Sequence, residues 1–134
     1  MVNRCCGDKV VSLTKQQIDW LEAGIEHFNE SRFWHAHEDW EALWISLKGV
    51  ARQELIDGVQ GIIQIAAMLL NHQRKKARGV TSLWAKSSAK LAPVIHGLFD
   101  LDIASLYADS EPFHLDVESF SLDAVSVKIR YLES

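Results

Sequence analysis

The stretch from Arg52 to Asn71 constrains the fold more than any other part of the chain. Read as a helix, its apolar residues Leu55, Ile56, Val59, Ile62, Ile63, Ala66, Ala67, Leu69 and Leu70 cover most of the circumference. A helix of that kind must be surrounded by other elements. The expectation is therefore an all-α fold: a compact bundle of about four main helices plus a short fifth, with this third helix at the centre. A narrow polar strip remains at Gln53, Asp57, Gln60 and Gln64. Gly58 and Gly61 would let a neighbouring helix approach closely, at a cost of up to about 1 kcal/mol each against alanine. The apolar run from Leu55 to Leu70 is too short and too interrupted to span a bilayer.

The remaining helices read from caps and periodicity. Thr14-Lys15-Gln16-Gln17 fits a capping box, and Ile18, Leu21, Ile25 and Phe28 give the helix it opens one apolar face. That helix ends within Asn29 to Arg32, and Ser31 is placed to cap the next. The second helix runs from about Phe33 to Leu47 and stops at Lys48-Gly49. Its inner side carries two stripes: Ala36, Trp40, Leu43 and Leu47, and Phe33, His37, Glu41 and Trp44. A fourth helix runs from about Arg78 to Leu91, before Pro93. A short fifth, near Asp102 to Tyr107, starts at a capping acid. This divides the chain into a flexible tail at 1–13, a helical domain at 14–107 and an extended C-terminal arm at 108–134. In the arm, Val125, Val127 and Ile129 alternate as in a strand.

Composition excludes several function classes. With 48% hydrophobic and 24% charged residues the chain is globular rather than disordered. A net charge of -4 argues against a general nucleic-acid binder. Between His72 and Leu98, however, stand Arg74, Lys75, Lys76, Arg78, Lys86 and Lys90 with no acid. A basic helix packed beside acidic ones, in this chain or in a second copy, explains them. With the wide apolar coverage of the third helix, this suggests a homo-oligomer, most simply a dimer. Cys5 and Cys6 are adjacent near the N-terminus, where they read as reduced thiols in a loose tail. No secretory signal is evident, and the expected location is cytoplasmic.

The chemistry-bearing feature is His37-Glu38-Asp39-Trp40-Glu41. His37 and Glu41 are four apart and share a helical face with Phe33 and Trp44. A carboxylate among aromatics must be paired, and His37, the glutamine strip, Arg78 or a metal ion could satisfy Glu41. An acid following the first of two ligands at this spacing is half of a zinc-hydrolase helix motif, with Glu41 in place of the second histidine. Zinc needs a third ligand, for which His35, His72 and His96 are the available imidazoles. A His/Glu pair of this spacing is more often a structural hydrogen bond than a metal site.

Three blocks in order add a family resemblance. Phe28-Asn29, Ala36-His37-Glu38 with Glu41 and Trp44, then Gly61-Ile62-Ile63-Gln64-Ile65-Ala66-Ala67, then Arg78-Gly79 resemble the signature of a family of small helical domains of unknown function. It is number three-zero-nine of that series and sometimes carries the label of a predicted metal-dependent hydrolase. The family's turn before Arg-Gly is Gly-Asn, where this chain has Lys75-Lys76. The resemblance singles out His37, Glu38, Glu41, Trp44, Gln64, Arg78 and Gly79 without assigning roles.

Two readings stand ahead of a third, in which Arg74, Lys75, Lys76 and Arg78 would bind phosphate or nucleic acid on a face without interleaved aromatics. In one, the chain is a structural or partner-binding module whose His/Glu/Trp/Gln cluster is a buried hydrogen-bond network. In the other, it is a metal-dependent hydrolase. His37 and Glu41 would hold a divalent metal such as zinc, Glu38 would act as general base, and Arg78, Gln64 and Trp44 would contact substrate.

Overall fold

The computed structural model describes residues 2–4 and 10–133. The readings made for Cys5 and Cys6 lie outside these residues. The fold is an all-α bundle of five helices. They are α1 (Lys15–Asn29), α2 (Phe33–Leu47), α3 (Gln53–Gln73), α4 (Ala77–Leu91) and α5 (Ile103–Leu115). Ahead of them, β1 (Val2–Arg4) and β2 (Val10–Ser12) pair antiparallel, with Val2 opposite Ser12. Among the described residues no helix is long and apolar enough to cross a membrane.

The third helix is central, as its pattern requires. Leu55, Ile56, Val59, Ile62, Ile63, Ile65, Ala66, Met68 and Leu69 are all buried, and α3 packs against α2, α4 and α5. Its apolar coverage is thus used within one chain and does not itself call for a second copy. A Cβ on Gly61 would run into Leu91 of α4, and one on Gly58 would press on Val94 and Leu98. Both glycines serve the close approach expected of them.

The helix ends show what the spacing concealed. The capping box is present: Gln17 N donates to Thr14 Oγ1 at 3.1 Å and Thr14 N to Gln17 Oε1 at 2.9 Å. Ser31, however, does not cap α2. It sits at φ 63 as the left-handed residue that closes α1, with Ser31 N bonded to Phe28 O and Arg32 N to His27 O. The link between the helices is so short that Ser31 is consumed in ending the first. The same closure recurs after α3, where Lys75 takes φ 57, Lys75 N bonds His72 O and Lys76 N bonds Asn71 O. The turn that carries Gly-Asn in the family pattern is made here by lysines.

The fifth helix is longer than its sequence pattern indicates and continues through Pro112 to Leu115. Ile103, Leu106, Ser110 and Phe113 fall on one buried face, and a proline this near the end removes little hydrogen bonding. The following arm forms no strand ladder. A 3-10 turn at Ala124–Ser126 buries Ala124, Val127 and Ile129 and leaves Val125 exposed. Asn29 clamps the arm to α1. Its Nδ2 donates to Ile129 O at 3.0 Å, and its Oδ1 accepts from Ile129 N at 2.8 Å.

Asp116 anchors the start of the arm. It accepts from Leu122 N at 2.8 Å, Ser119 Oγ at 3.0 Å, Ser121 Oγ at 3.2 Å and the buried His72 Nε2 at 2.9 Å. The Leu122 amide first, and then His72 and the two serines, hold its carboxyl well below the usual carboxylate range. A depressed folded pKa gives stability that is present above the unfolded value, about 4, and is lost as pH falls below it. The stability difference between wild type and Asp116→Asn is therefore expected to be constant from neutral pH to about 5 and to shrink below about 4. Urea unfolding at a series of pH values checks this.

A second prediction concerns Gly24, against whose backbone the Trp40 indole lies so closely that a Cβ would overlap the ring. At an ordinary helical position Gly→Ala stabilises by up to about 1 kcal/mol. Gly24→Ala is expected to destabilise by on the order of 1–3 kcal/mol through overpacking, measured by chemical unfolding.

Candidate functional site

Trp40 sets the orientation of α2. It is fully buried, and its Nε1 donates to the Leu21 carbonyl at 3.2 Å. Phe33, Ala36, Leu43 and Leu47 turn inward with it. Apart from Phe33, the second stripe expected to share this face does not go in as far. His37, Glu41 and Trp44 are half-buried along a flank of α2, and Glu38 is exposed. Glu41 therefore carries less desolvation than full burial would impose.

On that flank three donor groups converge. One ligand atom each from His37, Glu38 and Glu41 can be chosen so that all lie within 4.8 Å of one another. The third member of the cluster is thus Glu38. None of the three histidines considered for that place joins the group. His35 is exposed and lies 5.3 Å from the His27 ring, His72 is committed to Asp116, and His96 is exposed. Trp34 stacks on His37, with ring centroids 5.3 Å apart and planes 7° from parallel, and remains 49% exposed. The Trp44 ring is covered by Lys48, whose Nζ stands 4.0 Å from its centroid.

The hydrogen bonds expected of a structural network are absent among the described residues. His37 and Glu41 do not bond each other, and Glu41 has no hydrogen bond or ion pair. Among the described residues five buried side-chain polar atoms have no partner, and three of them are His37 Nδ1, Trp44 Nε1 and Gln64 Oε1. Such atoms are rare in native proteins, each costing about 1–3 kcal/mol, and here they coincide with residues of the family pattern. Arg78 is exposed in the first turn of α4 and makes no ion pair among the described residues, so it is not the partner of Glu41. Its neighbour Gly79 has a packing reason: a Cβ there would overlap the Asn71 amide.

Residues 21–83 match a family model described as Domain of unknown function (DUF309). This segment is similar to a DUF309 domain. The match runs from Leu21 through α2 and α3 to Leu83 in α4, so it contains Gly24, Trp40, the three-donor cluster, Gln64 and Gly79. The family description carries no activity, and no curated protein and no solved structure matches the chain.

The sequence reading passed over one pair on the opposite flank of α2. His27 Nδ1 donates to Asp39 Oδ2 at 2.6 Å, tying the DUF309 segment's first two helices together. The two residues are 12 apart, so no single-helix spacing exposes the pair.

If Gln64 stands in a structural network, replacing it strands a partner and costs about 1–3 kcal/mol. With Oε1 already unpartnered, Gln64→Met is expected to leave stability within about 1 kcal/mol of wild type or to raise it. Thermal and urea unfolding measure the difference.

Proposed function

We propose that the DUF309 segment is a helical module that binds a divalent cation through His37, Glu38 and Glu41. The observation that carries this reading is the convergence of three donors of mixed nitrogen and oxygen type with no protein partner for Glu41. Donors around a tetrahedral zinc lie about 3.4 Å apart at ligand distances of about 2.0–2.2 Å. A cluster within 4.8 Å reaches that by small side-chain rotations. One imidazole and two carboxylates suit zinc, manganese or iron better than a thiophilic ion.

Glu38 then serves as a donor, which leaves the hydrolase reading without its general base. Arg78 is exposed rather than within the cluster, which leaves that reading without its anion anchor. The reading adopted is therefore binding. The module is placed in the cytoplasm and taken to act as a homo-oligomer, most simply a dimer. Exposed Trp34, Ile45 and Val50 supply apolar surface for such a contact.

The test is thermal unfolding with Zn(II) or Mn(II) and with chelator. At about 100 times Kd a bound cation adds about 2.7 kcal/mol, a Tm rise of roughly 10 °C for a chain this size. The His37→Phe, Glu41→Leu double variant is expected to fold, because it leaves no polar group of that pair unpartnered, and to ignore both cation and chelator. An equal Tm with and without cation in the wild type would overturn the proposal.

A further inference from the structure

The flank of α2 that faces α1 carries a second constellation, separate from the His37 cluster. His27 is fixed by its short bond to Asp39, with the two side chains 28% and 23% exposed. Because a carboxylate only accepts, the proton of neutral His27 resides on Nδ1, and the lone pair is on Nε2. Nε2 has no partner among the described residues and, unlike His37 Nδ1, is not cut off from solvent. A second imidazole stands beside the His27 ring: the exposed His35 ring is 5.3 Å away, centroid to centroid, with the planes tilted by 43°.

We propose that His27 and His35 form an open two-imidazole site for a borderline transition-metal ion such as Cu(II), Ni(II) or Zn(II), with Asp39 as the positioning residue. Two imidazoles sharing one ion at metal–nitrogen distances of about 2.0–2.1 Å and a near-tetrahedral angle place their ring centres about 5 Å apart, which matches the observed separation. A ligating histidine commonly gives its other N–H to a carboxylate, which fixes the tautomer and raises the basicity of the ligand, and Asp39 does this for His27. A tie between helices needs only the His27–Asp39 bond; it does not call for a second imidazole beside the first. The remaining coordination positions fall to water, so the site is an open one. Imidazole donors favour copper, nickel and zinc over the harder ions that suit the carboxylate-rich cluster.

The experiment is a calorimetric titration of the full chain with Ni(II) and Zn(II). The chain carries Cys5→Ser and Cys6→Ser so that thiols do not compete, and also Glu41→Gln so that the His37 cluster is weakened. One ion per chain is expected to bind. His35→Gln or His27→Gln should weaken it by at least about 10-fold, and Asp39→Asn by about 10- to 100-fold. His27→Gln retains an amide that can still bond Asp39, and His35 is exposed, so both variants keep the helix contact. NMR with Ni(II) should broaden the ring signals of His27 and His35 first. Binding that is absent in the Glu41→Gln background, or unchanged by both glutamine variants, overturns the proposal. Neither result bears on the His37 cluster, which is tested without the Glu41→Gln change.

Discussion

The seating of Trp40 against Gly24 is the contact on which the rest of the arrangement depends. The indole fits because residue 24 has no Cβ, and its N–H is satisfied by the Leu21 carbonyl. That fixes how α2 is turned about its own axis. One flank of the helix then offers His37, Glu41 and Trp44, and the other brings Asp39 to His27 on α1. A rotation of α2 by one residue, about 100°, would bury a carboxylate or expose the core stripe. Both polar groupings are therefore consequences of one packing choice made between apolar surfaces.

How much of this was legible depends on where the information lies. Contacts within one helix read well. The capping box at Thr14, the enclosed character of α3 and the shared face of His37 and Glu41 all follow from spacing alone. Closures made by residues atypical for them did not. Ser31 and Lys75 both adopt the left-handed conformation that glycine usually supplies, so the punctuation that marks a helix end was missing or misread. The length of α5 was hidden by Pro112, because a proline tolerated in the last turn looks the same in sequence as one that ends a helix. Contacts between elements were beyond reach: His27 with Asp39, His72 with Asp116 and Asn29 with Ile129 join residues 12 to 100 apart. Periodicity placed Gln64 in a polar strip and the family resemblance singled it out within that strip, but its unpartnered buried oxygen shows only in the structure.

The balance of satisfied and unsatisfied polar groups separates the two ends of the molecule. Around the C-terminal arm the main polar anchors are satisfied within the chain: Asp116 collects four donors, and Asn29 uses both ends of its amide. On the α2 flank the opposite holds, with His37 and Trp44 each carrying a buried atom without a partner, as Gln64 does on α3. A chain able to complete its polar network in one region but not in another has a reason other than stability for the second. Binding of a cation is a reason that the donor set itself supplies.

The most direct measurement is X-ray absorption of the His35→Gln variant loaded with one equivalent of Zn(II), in which the two-imidazole pair is disabled. The account predicts a first shell of nitrogen and oxygen at about 2.0–2.2 Å, with the outer-shell signature of a single imidazole. A sulfur shell at about 2.3 Å would place the ion on Cys5 and Cys6 instead, and would contradict the assignment of the cation to His37, Glu38 and Glu41.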